Sequence, residues 1–272
     1  MTPRRMTEAE YDALEGLRSS HLKVLHERSP AHMREAMLRP RRDTEAFRFG
    51  RALHCAVLRP DGLDLEWMRG GKHDRRTKEG KLAAQREEEE AQGREILAAD
   101  DWDRMLEMRE AVLAACGDLL SLAPLREYPV VGMMNDVPIK ARLDAASPTG
   151  MLLDLKTTIC ASPRAFARSA ASFGYLLQLA HYRMTMRIFG LGDGPTLLIA
   201  CEKERPFATA VYIMDAAQMQ RMEDRILQLL DLYRRCRDAG EWPAYDTDIK
   251  HLPLPEWAFT GQTELEDITD AE

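Results

Sequence analysis

Apolar and polar positions recur along this chain with two different periods, and the change falls near Pro124. Upstream, the spacing is helical. Tyr11, Leu14, Leu17, Leu22, Val24 and Leu25 predict a helix over 7–27, with Thr7 as N-cap and Glu10 closing a capping box. Ser29-Pro30 breaks it and opens a short helix. Thr44 caps a further helix from Glu45 to Leu58, stopped at Arg59-Pro60-Asp61-Gly62. Residues 69–81 are polar and glycine-bearing, the composition of a mobile loop. Helical spacing returns over 82–98 and 101–120. Beyond Pro124, Arg126 to Met134, Val137 to Ala146 and Met151 to Thr157 read as three successive strands. Helices follow over Pro163–Ala171 and Tyr175–Phe189. Two more strands, Thr196 to Glu202 and Ala208 to Met214, flank a charged turn. A long amphipathic helix, Ala216 to Ala239, ends at Gly240. Neither an internal repeat nor a low-complexity linker interrupts the pattern. The expectation is one α/β domain over 1–259, mainly helical over 1–120 with a sheet core over 121–240. The acidic tail 260–272 is expected to be disordered.

Composition narrows the function. The chain is 45% hydrophobic and 31% charged, with no apolar run long enough for a membrane span. No apolar segment follows the first arginines, so a secretory signal is not expected. Five cysteines without CxxC spacing argue against structural zinc, disulfides or an iron–sulfur cluster, and fit a reducing cytoplasm. The net charge of −7 speaks against a polyanionic partner, but its distribution does not. Residues 140–187 hold seven basic side chains against two acids, Asp144 and Asp154. A local basic field governs phosphate contact more than the global sum.

Those two acids carry the chemistry. Asp144 ends Lys140-Ala-Arg-Leu-Asp144, and Met151-Leu-Leu-Asp154-Leu-Lys156 follows a turn of Ser147, Pro148, Thr149 and Gly150. Residues two apart on a strand share a face, so Asp154 and Lys156 point the same way, and the hairpin can bring Asp144 beside them. Two carboxylates, with the main-chain carbonyl of Leu155, suit a hard divalent cation such as Mg2+, with Mn2+ able to substitute and one or two ions per site. Lys156 could orient or deprotonate a water. A lone DxK is common; its setting among Leu152, Leu153 and Leu155, unfavourable for charged strand residues, gives it meaning. Gln178 and Tyr182, four apart, share a helix face that could hold a nucleic-acid strand. His54 lies in an apolar helix and suits a further metal position. Glu127 starts the first strand and is a further candidate ligand; Glu107 is a weaker one. The run Gly190-Leu-Gly192-Asp-Gly194 lacks the residues of a phosphate cradle.

Taken together these residues resemble the PD-(D/E)xK nuclease superfamily, and within it the phage-type exodeoxyribonuclease VIII (RecE-like) family. The resemblance rests on Ser29-Pro30-Ala31-His32, Phe49 to His54 with Val57-Leu58-Arg59-Pro60, and Asp144 in its strand. Leu153-Asp154-Leu-Lys156-Thr157-Thr158, Gly174-Tyr175 with Gln178 and Tyr182, Trp242-Pro243 and Leu254-Pro255-Glu256-Trp257-Ala258 complete it. Leu143 replaces the proline of the family pattern. The resemblance implies a restriction-endonuclease-like core, a central mixed β-sheet flanked by helices. It implies catalytic roles for Asp144, Asp154, Lys156, Gln178 and Tyr182, and a metal-ligand role for His54. It further implies Mg2+-dependent digestion of linear duplex DNA from free ends, feeding recombination or repair by single-strand annealing. A partner annealing protein and a homo-oligomeric ring belong to the same expectation. The alternatives are an endonuclease, structure-specific or single-strand-specific, and a catalytically idle DNA-binding accessory protein.

Overall fold

A computed structural model describes residues 6, 8–39, 44–74, 76–254 and 259. Thr7, the tail 260–272 and Pro255 to Ala258 therefore lie outside the described residues. The chain opens with α1 (Glu8–Ala13), α2 (Ser19–Glu27), α3 (Pro30–Leu38) and α4 (Glu45–Leu58). A 3-10 turn (Pro60–Gly62) and α5 (Leu63–Glu66) lead to β1 (Trp67–Arg69), α6 (Lys78–Ala91), β2 (Glu95–Leu97) and α7 (Ala99–Ser121). Then come β3 (Leu125–Met134), β4 (Val137–Ala146), β5 (Leu152–Thr158), α8 (Pro163–Phe173) and α9 (Tyr175–Phe189). The described elements end with β6 (Thr196–Glu202), β7 (Thr209–Ile213) and α10 (Ala216–Ala239).

The expected α/β class holds: a mixed five-stranded sheet in the order β3-β4-β5-β6-β7 lies between helices. Within this sheet β5 and β6 are the parallel pair, joined by the α8–α9 crossover that such a pair requires. One face of the sheet packs Ile139, Leu143, Leu152 and Leu198 against Leu22, Leu179 and Leu230 of α2, α9 and α10. The other packs Leu153, Leu155 and Ile199 against Leu53, Met105 and Met108 of α4 and α7. Burial on both faces explains why β5 and β6 read as almost unbroken apolar runs.

Two expected helices are shorter than their spacing suggested. The helix over 7–27 splits after α1, because Leu17 joins the sheet. Its N–H donates to Pro138 O at 2.8 Å and its carbonyl accepts from Lys140 N at 3.0 Å. Gly16, at φ +141°, lies so near this strand that a Cβ would stand 2.9 Å from the Ile139 carbonyl carbon. The helix over 82–98 ends at Ala91, since Gln92 is left-handed at φ 51°. Glu95–Leu97 then pairs parallel with Trp67–Arg69. The segment expected to be a mobile loop is tied down in part: the Gly71 N–H donates to Glu87, and Thr77 caps α6. Thr44 caps α4, as its sequence predicts, accepting from Phe47 N at 3.2 Å. Among the described residues no helix is long and apolar enough to cross a membrane.

Candidate active site

The site grows from two breaks in the strand ladder. β4 and β5 pair only through Ala145–Leu153 and Ala146–Leu152. Continuing that register would set Asp144 opposite Asp154, but the strands part first. The Asp144 Oδ2 instead accepts the Leu155 N–H at 2.9 Å, a side chain standing in for a missing rung. On the other side of β4 the ladder with β3 runs from Leu125–Ala146 to Met134–Val137 and skips one position, Glu127 opposite Asp144. Glu127 is left-handed at φ 45°, uncommon for a residue with a side chain. Its carboxylate reaches Arg142 Nε at 3.0 Å and lies 3.6 Å from His54 Nδ1.

His54 projects from α4. Its Nε2 lies 2.9 Å from Leu155 O, and its Nδ1 lies 3.5 Å from Asp144 Oδ2. Burial disfavours the imidazolium, but Asp144 and Glu127 outweigh it and raise the pKa to about 10. The charged ring therefore collects the oxygens of Asp144, Glu127 and Leu155. His54, Glu127 and Asp144 offer ligand atoms within 4.8 Å of one another. Two carboxylates, an imidazole and a nearby main-chain carbonyl fit a divalent cation, whose entry would displace the ring proton.

Asp154 is fully buried. Its Oδ1 accepts from Gln178 Nε2 at 3.1 Å, and Lys156 Nζ lies 2.6 Å from Oδ2. That second contact is an ion pair poorly aligned for hydrogen bonding, so Oδ2 accepts no bond of good geometry. Burial, with Asp144 adding repulsion, lifts the Asp154 pKa to about 6 against the pull of Lys156. Burial also raises Asp144, but His54 and Lys156 overcome it and hold that carboxyl below its ordinary value. Lys156 resists its own burial because both aspartates hold it charged. It is thus an ammonium at neutral pH, which favours orienting a water over deprotonating one. Gln178 Nε2 also touches Tyr182 Oη at 3.0 Å.

His54, Glu127, Asp144, Asp154, Leu155, Lys156, Gln178 and Tyr182 thus converge. Glu107 does not: its carboxylate is held on the surface by Arg205, 2.8 Å from Nε. The basic window is also not a basic field. Lys140 is buried and donates to the carbonyls of Tyr11, Asp12 and Leu14. Arg183 and Arg187 pair with buried Glu223, while Arg142 and Lys156 pair within the site. Sequence reasoning gave no site role to Tyr11, read as a helix position, or to Tyr175, quoted only for the resemblance. Arg142 and Lys140 lie over the Tyr11 ring at 5.3 and 5.0 Å, and Lys156 lies 5.0 Å from the Tyr175 ring. Tyr11 is distant in sequence and left no local signal; Tyr175, three residues before Gln178, did.

A mixed sheet whose opened strands present two aspartates and a lysine is the arrangement expected of a PD-(D/E)xK-type domain. The family model described as a PDDEXK-like domain of unknown function (DUF3799) matches residues 19–251, and the chain belongs to that family. No curated protein matches it in sequence. Among solved structures, a candidate exonuclease from Eubacterium rectale aligns over 95% of this chain and 99% of its own, at 13% identity and a TM-score of 0.64. That likeness is one of fold. A phage-related exonuclease from Haemophilus somnus 129PT aligns over 51% of this chain and 73% of its own, at 12% identity and a TM-score of 0.31, too low to bear on the fold.

Proposed function

We propose that this protein is a divalent-metal-dependent deoxyribonuclease that digests linear duplex DNA from its ends, in the manner of the exodeoxyribonuclease VIII-like branch. The observation that carries the reading is the opened β4–β5 ladder, which sets Asp144 and Asp154 side by side with Lys156 on Asp154. Asp144, Asp154, Glu127, His54 and the Leu155 carbonyl would hold Mg2+ or Mn2+. A bound divalent ion supplies charge against the developing phosphorane and lowers the pKa of a bound water. Lys156 donates to the attacking water and fixes its lone pair toward phosphorus. Gln178 holds Asp154 through Oδ1, so that Oδ2 faces the reaction. Tyr182, accepting from Gln178, keeps its own O–H for a phosphate oxygen. Water attacks phosphorus and releases a proton to solvent, the P–O bond to the leaving nucleotide breaks, and that oxygen takes up a proton from solvent. Such an enzyme would leave single strands for annealing in recombination or repair, with an annealing protein as its natural partner in a cytoplasmic setting.

The test sets end-labelled linear duplex beside covalently closed circles, each with Mg2+ and with EDTA. Metal-dependent loss of the linear form alone is the expected result. Cutting of the circle would replace the exonuclease reading with an endonuclease. Intact DNA of both forms, still bound by the protein, would make it an idle binding protein.

A further inference from the structure

Four aromatic rings form a row from half-buried Tyr212 on the edge strand, through buried Phe166 and half-buried Tyr175, to Phe173 in solvent. Tyr212 stacks on buried Phe166, with centroids 5.4 Å apart and planes at 21°. Phe166 meets Tyr175 at 6.2 Å, and Tyr175 stacks on Phe173 at 5.8 Å and 22°. Tyr175 is also the ring that carries the Lys156 ammonium. Phe173, the open end of the row, is 60% exposed.

This exposed ring stands on a capped helix corner. Phe173 is the last residue of α8, Gly174 takes φ 72°, and α9 begins at once with Tyr175. Lys23 donates to the carbonyls of Ser172 at 3.3 Å and Phe173 at 2.9 Å, closing the end of α8. A large apolar ring held in water on a capped corner, one ring removed from Lys156, offers its face to a flat apolar occupant.

We infer that Phe173 is a stacking platform for a nucleobase of the DNA strand whose phosphate lies at Lys156. The inference rests on the nuclease reading above and adds a residue that sets how the strand enters. With bases rising about 3.4 Å per step, the stacked base is about one to three nucleotides from the reacting phosphate.

The experiment measures binding of a fluorescein-labelled oligonucleotide duplex with a single-stranded overhang, by anisotropy in EDTA. Wild type, Phe173→Ala and Phe173→Trp are compared on an ordinary overhang and an abasic one. The expected result is about a tenfold weaker Kd for Phe173→Ala on the ordinary overhang. No difference is expected on the abasic overhang, and Phe173→Trp should restore affinity. Equal loss on both overhangs, or unchanged affinity in the alanine variant, would overturn the inference while leaving the nuclease reading intact. A Phe173→Ala change in melting or oligomeric state with unchanged DNA affinity would make the ring a protein contact instead. Failure of the wild type to bind DNA would overturn the nuclease reading, and the platform with it.

Discussion

Asp154 has neighbours that oppose one another. Burial and Asp144 push its proton on, while Lys156 pulls it off, and the balance leaves its pKa at about 6. A folded pKa above the unfolded value of 3.8 means the native state keeps the proton over that interval while the unfolded chain releases it. Stability from this group is therefore full below pH 3.8 and lost as pH rises through about 6. Asp154→Asn should remove the fall in stability between pH 3.8 and about 6 in the absence of metal, and lose about 100-fold or more in cleavage. Calorimetry and a nuclease assay on the same preparation check both halves. Lys156→Ala should lower turnover by about 100-fold or more with a much smaller change in DNA affinity, read from single-turnover rates beside equilibrium binding. An equal loss of both would make it a phosphate anchor only. The Asp154–Lys156 pair was legible because period two places both on one face. Glu127 was legible only as a candidate, since no local pattern announces a left-handed residue inside a strand. Arg142, two residues before Asp144, was counted as charge and not as a partner of Glu127.

At the level of elements, the hairpin, the α8–α9 crossover and the last helix follow their local signals closely. Turn residues and caps there agree with the tertiary fold. The misread segments are those where a long-range pairing overrides a helical period. Leu14 and Leu17 fit a helix stripe, yet Leu17 serves as a short edge beside Ile139, and Gly16 is what permits the approach. Glu95-Ile-Leu97 likewise leaves a helical context to pair with β1. Gly16→Ala should cost about 1–3 kcal/mol, because it combines an unfavourable φ with a contact against backbone that cannot swing away. Urea denaturation of the variant measures this. A loss well below that range would mean that the first turn of the chain shifts freely against β4.

For the whole molecule, charge counted along the chain differs from charge in space. Five of the seven basic residues of the 140–187 window are engaged in the interior or within the site, and Arg164 and Arg168 lie exposed on α8. DNA affinity should thus fall gently with salt, with a log–log slope of about −2 to −3 and not the steep slope of a many-lysine footprint. Titrations across salt concentrations decide this, and a slope several units steeper would restore the sequence-based footprint. Metal should stabilise the fold, and more so at high pH. His54 is charged below about 10, so a metal taking its nitrogen must expel that proton. The melting shift given by Mn2+ should be larger at about pH 9 than at about pH 6. An equal shift at both would remove His54 from the ligand set.

Lys140 adds a matter of timing. Its ammonium closes the end of α1 by holding carbonyls as far as 129 residues away in sequence. During synthesis at about 5–20 residues per second, Tyr11 leaves the peptidyl-transferase centre about 6–25 s before the lysine that anchors it is made. Through that interval α1 has no dock. The ribosome thus delivers α1 early and its fastening late, so β4 and the helix that it fastens can be completed only together.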